Sequence, residues 1–125
     1  MLVLADADVR SLVTPADAID VATELFSAPA ESRASSAPTA TGLVGGRLAT
    51  SAAVDANAGR ASLDALASFA RDGTLAITVV VAADRPETIG IVASAWLAGL
   101  AAGATSTLGA ERPARPGAAT VGLIG

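Results

Sequence analysis

At 125 residues, 52% hydrophobic but only 2% aromatic, the chain has the length of a single domain and must build its core from small side chains. Eight arginines and no lysine stand against twelve carboxylates, and a net charge of −4 argues against a nucleic-acid partner. Cysteine and histidine are both absent, which excludes disulfides and removes the preferred ligands of zinc and copper. Alanine is about a quarter of the sequence, so each core contact buries little area, and stabilisation by a second copy or a further domain is expected. The start, MLVLADAD, has no positively charged n-region, and a cytoplasmic protein is the expectation.

Residues 2–5 read as a short strand. Asp6 and Asp8 follow where N-caps of a short helix belong, with Val9, Leu12 and Val13 at helical spacing. The Asp-x-Asp pattern also suits a cation, but capping is the commoner use. Thr14-Pro15-Ala16-Asp17 is the clearest local signal: Thr14 as N-cap, Pro15 at N1, Asp17 at N3 of a capping box. Ile19, Ala22, Leu25 and Phe26 then form one apolar stripe, with Asp20 and Glu24 on a solvated face. Pro29 to Pro38 reads as a loop.

Residues 43–54 predict a strand pair or hairpin broken at Gly45-Gly46. The Gly42…Gly45-Gly46 spacing superficially resembles a phosphate loop, but it lacks the Lys-Ser/Thr ending. Asp55 to Gly59 is turn chemistry, too short for a calcium loop. Residues 61–70 are apolar apart from Ser62, Asp64 and Ser68, and Arg71-Asp72-Gly73 turns the chain. Ile77–Val81 is the strongest strand signal, β-branched throughout, and Ile89–Val92 is its candidate partner after the turn at residues 84–87. Residues 94–111 predict a long helix of small residues ending before Pro113. Pro116-Gly117 marks a turn, and Thr120–Ile124 begins a buried strand.

One uncharged run, Thr88 to Ala110, is long enough for a bilayer and contains the small-xxx-small pair Gly99 and Gly103. Its Ala, Gly, Ser and Thr content gives poor insertion energy, so no membrane span is expected. The mixture of elements is α+β.

The order of these pieces resembles the N-terminal half of the ornithine cyclodeaminase/mu-crystallin family. The resemblance is carried by Met1-Leu-Val-Leu4, Asp8-Val-Arg10-Ser-Leu12, Asp17-Ala-Ile19-Asp20 and Phe26 at one end. At the other end it is carried by the segment Ala93 to Pro116, closing on Ala114-Arg115-Pro116. Thr120-Val-Gly-Leu-Ile-Gly125 then looks like a first Rossmann strand entering G-x-G-x-x-G. The fold this implies has N-terminal helices packed on a small, mostly antiparallel sheet, a long connecting helix, and the first strand of an incomplete Rossmann unit. The implied domains are residues 1–110, a substrate and dimerisation domain, and residues 111–125, the start of a truncated nucleotide-binding domain.

Family members are two-domain homodimers that bind NAD or NADP on the second domain and carry out cyclising deamination, amino-acid dehydrogenation or imine reduction. The carry-over fails at the chemistry. The family's carboxylate-binding arginine falls near Pro38-Thr39, its lysine on Ser62-Leu63-Asp64, and its Arg-Thr pair on Ala101-Ala102. No lysine exists anywhere, and no arginine lies between Arg85 and Arg112. A carboxylate substrate favours a fork-shaped cationic donor, which Thr and Ala do not supply.

The expectation is therefore a truncated or degenerate family member, non-catalytic alone, serving as a dimerisation or folding module, with a homo-oligomeric copy or a missing Rossmann domain as partner. The alternative is a part of an NAD(P)-dependent cyclodeaminase or amino- or imino-acid oxidoreductase. No catalytic or metal-ligating residue is assigned, and no cofactor is expected to bind this chain alone. Gly125 would be the first glycine of the incomplete cofactor fingerprint. Arg47, rather than Arg33, is the candidate substrate contact, because the adjacent Gly45-Gly46 lets a ligand approach the backbone.

Overall fold

A computed structural model describes residues 1–29, 33–35, 37–71, 73–111, 114–120 and 122. The elements in chain order are β1 (Leu2–Leu4), α1 (Asp6–Leu12), α2 (Pro15–Ser27), β2 (Arg33–Ser35), β3 (Thr39–Leu43), β4 (Gly46–Asp55), β5 (Arg60–Phe69), β6 (Gly73–Ala82), β7 (Thr88–Ala93) and α3 (Ala95–Glu111). The seven strands form one sheet in the order β1-β7-β6-β5-β4-β2, and β3 also pairs with β4. Only the β1–β7 pair is parallel. The α+β class and the mostly antiparallel sheet are as expected.

The helix starts follow from hydrogen bonding. Thr14 caps α2 as predicted: its backbone N–H donates to the Asp17 carboxylate at 2.8 Å, and its hydroxyl accepts from the Asp17 N–H at 3.3 Å. In α1 the capping differs from the sequence reading. Ala5 occupies the N-cap, Asp6 lies in the first turn, and Asp8 at N3 accepts the Ala5 N–H at 2.9 Å. Only half of a capping box forms, because alanine has no side-chain oxygen.

The hairpins follow from turn chemistry. Val44 and Gly45 make a two-residue turn between β3 and β4, with Gly45 at φ 76°. The glycines suggestive of a phosphate loop are thus hairpin residues. Asp55 accepts the N–H groups of Asn57 and Ala58, both at 3.0 Å, and ties the β4–β5 turn. Between β6 and β7 the register slips at Val80/Val81, so Ile89 bulges out of the ladder.

Other expectations are corrected. The stretch read as a loop contains β2, paired to residues 53–55 of β4. Residues 60–69, which carried no strand assignment, form the full-length central strand β5. The apolar stripe of α2 buries only Ala22 fully, while Leu25 and Phe26 remain exposed. Thr120 and Gly122 are exposed and not in a strand, and the rest of the expected Thr120–Ile124 strand lies outside the described residues. The uncharged run Thr88–Ala110 is split between β7 and α3, and no described helix is long and apolar enough to cross a membrane.

The core is thin: its buried hydrophobic residues are Val9 and the alanines 22, 76, 82 and 104. The small side chains Ala22 and Ala104 lie on α2 and α3, which pack against each other. The helices cover one face of the sheet at its β1–β7–β6 end. Ala76 is 4% exposed, whereas its neighbours Leu75 and Ile77, which alternate to the other face, are 58% and 40% exposed. Trp96 in the first turn of α3 lies under the Arg10 guanidinium, 4.5 Å from ring centroid to carbon, and its indole N–H finds no partner.

Three outcomes follow. Arg10→Ala removes the cation from the ring and shifts the emission of Trp96 to the red, with a stability loss of about 0.5–1 kcal/mol in urea denaturation. Alanine at position 46 would put its Cβ 2.5 Å from the Ser68 carbonyl oxygen and 2.8 Å from Phe69 Cδ1. Gly46→Ala therefore lowers stability by about 1–3 kcal/mol in the same assay. The Thr14 hydroxyl, then its backbone N–H, hold the Asp17 carboxyl below its ordinary value of 3.8. A pKa lowered by folding stabilises the fold above the unfolded value, and that contribution disappears as pH falls through the folded value. Denaturation midpoints measured from roughly pH 5 to roughly pH 2 therefore fall more steeply for the native chain than for Asp17→Asn.

Candidate functional site

Strand alternation sorts the sheet's polar and apolar residues onto opposite faces. The face that carries the helices continues, uncovered by them, over β5 and β4. There the register aligns polar side chains in rows across three strands. Ser51 pairs with Asp64, and Asp64 pairs with Thr78. Four residues along, Arg47 pairs with Ser68, and Ser68 pairs with Thr74. Between them runs an apolar row, Ala49, Leu66 and Ala76.

Asp64 is the most elaborated group in this region. Thr78 Oγ1 donates to its Oδ1 at 2.7 Å and Ser62 Oγ to its Oδ2 at 3.2 Å, both part-buried. The hydroxyls orient the carboxylate but do not neutralise it, and among the described residues no arginine forms an ion pair with it. This cluster was missed in the sequence because residues 61–70 were not recognised as a strand. The signal was present: Arg60, Ser62, Asp64 and Ser68 share one parity.

Arg47, the candidate substrate contact, lies on β4 just past the hairpin turn. It is exposed, stands between Gly42 of β3 and Ser68 of β5, and makes no ion pair among the described residues. Gly125, the candidate cofactor glycine, lies outside the described residues. Pro38 and Thr39, where the family arginine would fall, are exposed at the start of β3. Ala101 and Ala102 are exposed in the middle of α3. Asp6 and Asp8 serve the start of α1, Asp6 also pairing with Arg10 at 2.6 Å. No group of three or more carboxylates among the described residues gathers as a metal site.

A cleft of about 380 Å³ between α2 and α3 is lined by Thr23, Phe26, Ser27, Thr105, Leu108 and Gly109. It holds no charged side chain, and the Thr23 and Ser27 hydroxyls donate to carbonyls of their own helix. Its lining offers hydroxyls but no charged group to orient a ligand's reacting atoms.

No protein-family model and no curated protein matches the sequence. Solved structures do match. A probable ornithine cyclodeaminase from Bordetella pertussis Tohama I superposes with a TM-score of 0.79 at 24% identity, over 93% of this chain and 37% of that one. The iminosuccinate reductase of Paracoccus denitrificans, in complex with NAD+, gives a TM-score of 0.83 at 20% identity, over 94% of this chain and 39% of that one. An archaeal alanine dehydrogenase dimer with bound NAD gives 0.82 at 17% identity, over 94% and 38%. The chain thus spans well under half the length of the structures it resembles. At these identities the likeness establishes architecture: the chain has the fold of the N-terminal portion of ornithine cyclodeaminase-like structures.

Proposed function

We propose that this chain is the dimerisation and ligand-facing part of an ornithine cyclodeaminase-like protein, non-catalytic by itself. In this reading residues 1–110 form the N-terminal domain and residues 111–125 begin a nucleotide-binding one.

The observation that carries it is uncovered apolar surface. On the sheet face opposite the helices, Leu43, Val54, Leu63, Leu75 and Ile77 are all exposed, with alanines between them. A patch of that breadth marks an interface. A second copy suits it, because a sheet face of repeating Leu, Val and Ala is complementary to itself across a two-fold axis. The alanine dehydrogenase of the same fold is a dimer, which supports the same reading.

The chemistry supports the non-catalytic part. The lysine-free sequence has no cationic fork at the positions expected from the resemblance, and Asp64 reverses the charge there. Among the described residues no strand–glycine loop–helix unit offers a pyrophosphate cradle. Arg47 is the residue proposed to contact a ligand.

A second reading, the substrate-side portion of an NAD(P)-dependent oxidoreductase or cyclodeaminase, is favoured by the NAD bound in two of the similar structures. It needs a cofactor domain, and its activity would belong to the pair.

Light scattering of the purified chain is expected to give a dimer. Leu63→Asp, a charge in the middle of the apolar face, is expected to weaken association by at least about a hundredfold. A monodisperse native monomer at micromolar concentration overturns the reading. Titration with NADH, followed by fluorescence, is expected to show no saturable binding to this chain alone; micromolar affinity overturns the reading of residues 111–125 as an incomplete cofactor site.

A further inference from the structure

Helices α2 and α3 pack against each other and bury the small side chains Ala22 and Ala104, and beside these positions a cleft of about 380 Å³ opens between the helices. Each helix contributes residues at the same spacing, Thr23, Phe26 and Ser27 from α2 and Thr105, Leu108 and Gly109 from α3. All six fall in the final two turns of their helices, so the cleft lies between two helix C-termini. The negative ends of both helix dipoles therefore act on it. Neither last turn carries a basic residue to offset that field. Glu24 and Glu111, exposed in those same turns, make no ion pair among the described residues. The hydroxyls have the matching polarity. Thr23 and Ser27 donate at 2.8 Å to the carbonyls of Ile19 and Thr23, so only their lone pairs remain for a ligand. Ser106 and Thr107 bond back to carbonyls of their own helix, whereas the Thr105 hydroxyl beside them makes no hydrogen bond among the described residues.

We propose that this cleft binds a small arylalkyl ammonium ion, a primary amine in its protonated form on a short apolar body. A primary ammonium has three N–H donors and no acceptor, which matches a lining whose hydroxyls offer acceptor lone pairs. The Phe26 ring and the Leu108 side chain supply an apolar wall for the body, and the ring face also attracts the cation. The volume is at the lower end of ordinary ligand sites, which suits one ring and a two- or three-atom chain. Charge sets the selectivity: an anion meets two negative helix ends, and a neutral alcohol gains the apolar contact without the field. Gly109 keeps one wall open, since a Cβ there would meet nothing within 4 Å. The cleft lies on the helices, away from the sheet face proposed for dimerisation, so neither proposal depends on the other.

The probe is 2-phenylethylammonium at neutral pH, titrated into the isotopically labelled chain and followed by amide chemical shifts. Saturable binding in the millimolar range is expected, with the shifts confined to the last two turns of α2 and α3. The neutral analogue 2-phenylethanol is expected to bind at least about tenfold more weakly, and the anion 3-phenylpropionate not to saturate. Gly109→Leu, which places a side chain in the cleft and raises helix propensity, is expected to abolish saturable binding while circular dichroism stays native. Thr105→Val, equal in shape but without the hydroxyl, and Phe26→Leu, apolar but without the ring, are each expected to lose about threefold to tenfold. Both positions are exposed, so these two variants test the site even where bulk at position 109 disturbs α3. Equal binding of 2-phenylethanol, native affinity in a folded Gly109→Leu or in both other variants, shifts that map elsewhere, or no saturation of the folded native chain below about 50 mM each overturns the proposal.

Discussion

The structure depends on a sheet that its own helices cover on one face and at one end only. A strand buries one side chain in two on each face, so a seven-stranded sheet generates two surfaces that must each be matched to something. Three helices built from 7, 13 and 17 residues reach β1, β7 and β6 and leave β4 and β5 without helical cover. What they do bury is mostly alanine, which excludes little water per contact. Hydrogen bonding makes this arrangement well defined, since the β4–β5 and β5–β6 ladders run ten residues each. Apolar burial contributes less, because the buried side chains are small.

The division of labour between the two faces is written into β5. Its even-numbered residues include Arg60, Ser62, Asp64 and Ser68, and its odd-numbered residues are Ala61, Leu63, Ala65, Ala67 and Phe69. One parity forms hydrogen bonds with hydroxyls across the sheet; the other presents exposed leucine. A shift of one residue in the β4–β5 register would exchange the two sets, placing the carboxylate among the aliphatic residues of the other face. The turn at Asp55 to Gly59 prevents this, because Asp55 bonds two backbone N–H groups that fix how the chain reverses. The positions of Asp64 and Leu63 are therefore set by turn chemistry several residues away.

That dependence explains what could be read from the residues and what could not. The capping box at Thr14, the Gly45 turn, the β-branched run of β6 and the small-residue helix α3 are local features, decided by neighbours within one or two turns, and they were legible. β5 was not, because Ala and Ser have weak strand preference and its assignment comes from pairing on both sides. β2 was hidden in a Pro- and Ser-rich stretch for the same reason: three residues become a strand only because residues 53–55 of β4 offer a free ladder. The half-exposed stripe of α2 shows the converse limit. Periodicity identified the apolar side of the helix, but nothing in the sequence says that Ala22 is buried on it while Leu25 and Phe26 stay exposed.

The candidate site was legible as single residues and not as an arrangement. Arg47 stood out because it adjoins two glycines, and Asp64 because it occupied the place of an expected lysine. That both lie on one face, on adjacent strands with two apolar residues between their rows, is a consequence of register. Asp64 stands opposite Ser51 and Thr78, its carboxylate held by two hydroxyls and, among the described residues, paired with no cation. A strand that alternates in this way presents an apolar face and a polar face, and its register keeps the two apart.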